Sequence, residues 1–163
     1  MLRIDPKTSK KFGVDEQVKL RLTTKNIADI TVNVYPIDLE KVHLMDIEFS
    51  PENVDLSCLY PAHTSLFKIQ GSNPYVERQS ELRVENIGKN RGMWVVELLS
   101  GEISARAVIL KGGIHMVHRN TASGVQLKFY DESLEQIKKL HVWINNKRHE
   151  IRDSYTIPYN EKE

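Results

Sequence analysis

The chain has 163 residues, 40% hydrophobic and 28% charged, the make-up of a globular chain of one or two domains. Lys and Arg number 23 against 22 Asp and Glu, a balance that argues against a broad phosphate-binding face and so against nucleic acid as a partner. The single cysteine, Cys58, excludes an internal disulfide. No apolar run approaches the roughly 20 residues of a membrane span, and the opening MLRIDPKTSKKFGV lacks a signal-peptide core, so no membrane insertion is expected.

The dominant period is two. Val18, Leu20 and Leu22 alternate with Lys19, Arg21 and Thr23, and Ile30, Val32 and Val34 alternate with Thr31 and Asn33. Successive side chains on a strand point to opposite faces, so each run predicts a strand with one buried and one wet face. Residues 25–29, with Asn26 and Asp29, suit a hairpin between them. From 36 to 65 the pattern dissolves into a long connection with helical fragments. One is a turn over Asp38 to Val42, capped by Asp38; another starts at Ser50-Pro51-Glu52, since Pro fits the first helical position.

Strands resume at Leu66 to Ile69, closed by Gly71-Ser72-Asn73-Pro74, and around Leu82 and Val84. Met93 to Leu99 is apolar at nearly every position, as a central strand covered on both faces would be. Ser100-Gly101-Glu102 turns the chain into Ile103 to Leu110, which carries small residues on one face. After Gly112-Gly113 come a short strand, Ile114 to His118, a turn at Thr121 to Gly124, and a strand on which Val125, Leu127 and Phe129 alternate with polar residues. Leu134 to Lys139 reads as one helical turn. His141 to Ile144, a tight turn at Asn145-Asn146-Lys147, a return over Arg148 to Ile151, and an extended tail from Ser154 to Tyr159 complete the chain. Many short strands with turn signals about every 8–12 residues predict an all-β chain, an antiparallel β-sandwich of immunoglobulin or fibronectin type. The break at Gly112 divides it into residues 1–112, a sandwich, and 113–163, a second, shorter or truncated β unit. Residues 1–112 carry 15 basic and 15 acidic side chains, and 113–163 carry 8 and 7.

No chemistry stands out. His115 and His118, three apart on a strand, point to opposite faces and do not share a metal, while His43, His63, His141 and His149 have no ligand-spaced partners. Cys58 reads as a buried, inert thiol, since only His63 is near it in sequence. Phosphate loops, a nucleophile elbow and paired carboxylates are lacking, so neither cofactor nor metal is expected. The basic residues Lys138, Lys139, Lys147 and Arg148, around His141 and Trp143, are interleaved with Glu132, Glu135, Glu150 and Asp153 and read as a solvated face.

The run Asn90 to Glu97, a Gly followed by an aromatic and an apolar strand, then a strand from Ala105 to Lys111, resembles the penultimate and last strands of macroglobulin-like domains of the alpha-2-macroglobulin family. Phe12 to Leu22 resembles the opening strand of such a domain and Ile30 to Asp38 its second. Gln126 to Asp131, Leu140 to Ile144 and Tyr155 to Tyr159 resemble the start of a next repeat. The family's thioester sequence, Cys-Gly-Glu-Gln, is absent, Cys58 lies in another context, and no bait-like segment is visible. The resemblance implies a non-catalytic scaffold or protein-interaction module of a larger multidomain protein. Its partners would be neighbouring domains of that protein or another protein, in an extracellular, cell-surface or periplasmic setting. The alternative is a sandwich binding a small ligand or glycan through exposed aromatics, with Trp143, Tyr155 and Tyr159 as the candidate ligand or interface residues.

Overall fold

The computed structural model describes residues 1–44, 55–56, 59–69 and 75–159. The Ser50-Pro51-Glu52 helix start, Cys58 and the Gly71 to Pro74 turn lie outside them. By backbone contacts the chain divides into two compact units, Met1–Gly112 and Gly113–Glu163. The first holds β1 (Leu2–Ile4), β2 (Lys11–Phe12), β3 (Lys19–Thr24), β4 (Asp29–Ile37), α1 (Leu39–Leu44), β5 (His63–Lys68), β6 (Arg78–Arg83), β7 (Gly92–Ser100) and β8 (Ile103–Lys111).

These strands make two sheets, β1-β3-β6 and β2-β8-β7-β4-β5. Neighbours are antiparallel except β2, which runs parallel to β8, so the chain changes sheet between β1 and β2. The fold is an antiparallel β-sandwich of immunoglobulin-like type. Alternation aims Leu20, Leu22 and Leu82 from one sheet, and Ile30, Val32, Val34, Val96, Leu98 and Ile109 from the other, into a single core. Each such side chain contributes about 1.5–3 kcal/mol by leaving water. On β7 the adjacent Val95 and Val96 are both fully buried. Val96 faces the other sheet, while Val95 packs with Tyr35 and Leu56 on the opposite face. That two-sided cover explains the unbroken apolar run. The small residues of β8, Ala105 and Ala107, lie against the inter-sheet core.

Two local expectations are corrected. The strands β3 and β4 do not form a hairpin: β3 pairs with β1 and β6, and β4 with β5 and β7. Their apolar faces meet across the core instead of lying side by side, and the link turns through Asn26 at φ 58° to change layers. Period-two alternation fixes which face is buried and leaves the neighbour open. Second, Leu134 to Lys139 makes no helical turn. The Asp131 Oδ1 accepts from the N–H groups of Ser133 and Glu135 at 2.9 Å, Leu134 sits at φ 61°, and Gln136 bridges to Tyr130. An Asp side chain bonding its own downstream backbone competes with helix formation. Asp38 does cap α1, its Oδ1 accepting from Glu40 and Lys41.

The second unit contains β9 (Ile114–Thr121), β10 (Gly124–Asp131), β11 (Lys139–Ile144), β12 (Lys147–Arg152) and β13 (Tyr155–Pro158). They pair as β13-β10-β9 and as the hairpin β11-β12. Asn145 and Asn146, at φ 49° and 59°, supply the two left-handed positions of a type I′ turn. Leu127, Phe129 and Ile151 form the core, with Leu140, Val142, Ile144, Tyr155 and Ile157 against it.

Candidate functional site

The one charged residue of the Met93 to Leu99 run, Glu97, is 7% exposed, so its carboxylate must be satisfied by protein. Register supplies the partners, placing Glu97 between Asn33 on β4 and Arg106 on β8. Arg106 donates to Glu97 Oε1 through Nε at 3.0 Å and through a terminal nitrogen at 2.8 Å. Tyr35 Oη donates to Oε2 at 3.2 Å, and one strand further out Thr64 Oγ1 donates to Asn33 Oδ1 at 2.9 Å. A polar row therefore crosses four strands on the sheet face away from the inter-sheet core. Burial, then the charge of Glu97 and the hydrogen bond to it, raise the Tyr35 pKa above its ordinary value, against smaller lowering effects of Asn33 and Arg106. The tyrosine is thus held as a neutral donor. Both carboxylate oxygens are engaged, which fits a clamp on the β4-β7-β8 register and leaves neither poised to move a proton.

The aromatics singled out from sequence lie apart. Trp143 is half-buried on β11, alternating with the core-facing Val142 and Ile144 and paired in register with Arg148. Tyr155 turns inward against the unit's core, its hydroxyl 2.9 Å from His149 Nδ1 and its ring tilted 54° to the imidazole. Tyr159 is 60% exposed just beyond β13. Trp143 and Tyr155 occupy opposite-facing positions, so the three do not share one face. The basic residues around Trp143 are laced with acids: Lys139 and Arg152 both approach Glu150, at 3.7 and 3.3 Å, and lower its pKa, Arg152 through its hydrogen bond most of all. His63 Nε2 receives the Asn86 amide at 2.8 Å. Among the described residues no three His, Cys, Asp or Glu side chains stand close enough to hold a metal, and no helix is long and apolar enough to cross a membrane.

The sheets also end in open strands. Among the described residues the five-stranded sheet ends at β5, and the three-stranded sheet of the second unit ends at β9, which pairs there with β10 alone. The sequence reading missed both the Glu97 row and the edge character of β9.

Residues 30–112, which run from β4 to the end of β8, match the family model described as the AbpF first immunoglobulin-like domain. The chain belongs to this family. Residues 1–24, outside the matched segment, supply β1 to β3 and so two of the three strands of the smaller sheet. Over 148 residues the chain is 21% identical to Actin-binding protein F of Dictyostelium discoideum, covering 91% of this chain and 6% of that protein. A crystal structure of native alpha-2-macroglobulin from Escherichia coli, spanning domains MG0-NIE-MG1, is similar with a TM-score of 0.59 at 9% identity. That likeness covers 98% of this chain and 57% of the other. The chain thus has the fold of macroglobulin-like domains, and its resemblance to them is one of fold.

Proposed function

We propose that the chain is a non-catalytic scaffold or protein-interaction module of a longer multidomain protein, residues 1–112 being one macroglobulin-like sandwich and 113–163 a shorter β unit. The observation that carries this reading is the Glu97 row. The buried carboxylate of Glu97 is closed on itself by Arg106 and Tyr35, so it serves the sheet, while strand edges and loops are left for contact. The small share of Actin-binding protein F that the chain spans supports a place within a longer protein. Lysine-directed cross-linking in cells, read by mass spectrometry, tests the reading. Recurrent cross-links from this chain to another domain or protein are expected, and a chain cross-linked only to itself refutes it. Sedimentation with actin filaments asks separately whether this segment carries the binding named in its relative.

The macroglobulin fold is what an extracellular, cell-surface or periplasmic setting rests on; an actin-based setting rests on the Dictyostelium relative, and fractionation of cells making the protein separates the two. The second reading, a small-ligand or glycan platform, rests on the outward-facing position of Trp143 and on exposed Tyr159. It requires Trp143→Ala and Tyr159→Ala to abolish binding on a glycan array.

A further inference from the structure

We infer that β9 is an acceptor edge for an extended partner segment in which acidic and apolar side chains alternate. The inference rests on the interaction-module reading and names the surface and the chemistry of the partner.

Three features of β9 converge. Its eight residues pair in unbroken register with β10, and its other edge makes no described backbone bond. It lacks the proline, lysine or bulge with which natural proteins blunt a long edge strand. It is also uncovered on both faces: Ile114, Met116 and Val117 are 51%, 57% and 53% exposed. Ile114 and Met116 share the face on which Phe129, the register partner of Met116, is buried, while Ile114 lies opposite the partly buried Asp131. The cover given by β11 and β12 therefore reaches β10 and stops short of β9. A strand added beside β9 would continue the ladder and lay apolar side chains next to Ile114 and Met116, the recognition mode of β-augmentation.

Charge selects the partner. From Ile114 to Tyr130 the sequence contains no Asp or Glu, while it holds Arg119, Lys128, His115 and His118. β9 itself holds Arg119 and no Asp or Glu, Lys128 on β10 adds a second base, and the hairpin's one carboxylate, Asp131, stands at its end opposite Ile114. Arg119, and Lys128 of β10, which pairs with Val117, lie on the face of the sheet opposite Ile114 and Met116, so an added strand meets basic side chains on one face and Ile114 and Met116 on the other. A second copy of this chain would bring another acid-free strand, and no register of β9 against β9 gives Arg119 an opposite charge.

The test uses the full chain and two fluorescently labelled, end-blocked nonapeptides, one alternating Glu and Val, the other Lys and Val. Fluorescence anisotropy should show the Glu/Val peptide binding at least about tenfold more tightly, with Arg119→Glu erasing that preference. Hydrogen exchange should slow at amides of β9 when that peptide is added. Arg119 is exposed, and circular dichroism of the variant checks that folding is kept. Equal binding of the two peptides, protection that leaves β9 unchanged, or self-association through β9 in sedimentation would each overturn the assignment. If the peptides do not bind β9 while an Arg119→Glu chain keeps its cellular cross-links, the β9 assignment fails alone. Loss of every cross-link in the unaltered chain sinks the module reading itself.

Discussion

Replacing Arg106 by Met tests whether the Glu97 row is a buried clamp or an ordinary surface pair. The substitution keeps a straight apolar stem and removes both donors to Oε1, so Glu97 retains only the Tyr35 hydroxyl within hydrogen-bond reach in the row. Breaking a fully buried ion pair costs about 3–5 kcal/mol, because a charge is left without a partner. The Arg106 side chain is 30% exposed, so water partly compensates, and a loss of about 2–3 kcal/mol is expected. The chain has two tryptophans, one in each unit. In a Trp143→Phe background the fluorescence of Trp94, packed against the first unit's core, reports that unit alone. With a urea slope of about 1–1.5 kcal/mol/M, the midpoint should fall by about 2 M. Adding Glu97→Gln should restore more than half of the loss, since a neutral amide tolerates the apolar neighbour and still accepts from Tyr35. A loss below about 1 kcal/mol, the size of an exposed pair, or additive effects of the two substitutions, would refute the clamp.

Two further outcomes follow from the same geometry. Tyr35 titrates above the ordinary tyrosine value of about 10, so the native chain keeps its proton after the unfolded chain has lost it. The stability this contributes is present below that pH and is lost as pH rises through the raised value. Urea midpoints of the unaltered chain and of Tyr35→Phe should therefore converge between neutral and strongly alkaline pH, and parallel curves would sink the idea. In the second unit, Gly124 sits at φ 149° and a Cβ there would overlap the Ile157 carbonyl on β13. Gly124→Ala should accelerate amide exchange over 155–157 and destabilise that unit by about 2 kcal/mol or more while the Trp94 transition stays put; unchanged exchange would show that the β10-β13 contact yields at little cost.

Much of the β class was legible because one-sided burial writes itself into a sequence as alternation, and residues such as Leu20, Leu22, Val32 and Val34 carry that signal plainly. What alternation does not encode is the neighbour. The link from β3 to β4 reads as a hairpin until the apolar faces of both strands are asked to meet across a core, which a pair within one sheet does not do. The Glu97 row, by contrast, could have been derived. A turn at Gly101-Glu102 pairs Ser100 with Ile103, and counting back along both strands brings Glu97 opposite Arg106. A lone carboxylate in a strand read as covered on both faces had to find such a cation. The open edge of β9 was hidden for a different reason. Its residues Ile114, Met116 and Val117 look like any half-buried strand, and their exposure is decided by how many strands the facing layer contains. The absence of acidic residues from Ile114 to Tyr130 is visible in the sequence, but over the whole unit Asp131, Glu132, Glu135 and the acids from Glu150 onward offset the bases. Near-neutrality of the unit thus conceals an acid-free β9, and the contact chemistry proposed for that strand lies in Arg119 and Lys128 on one face of its sheet.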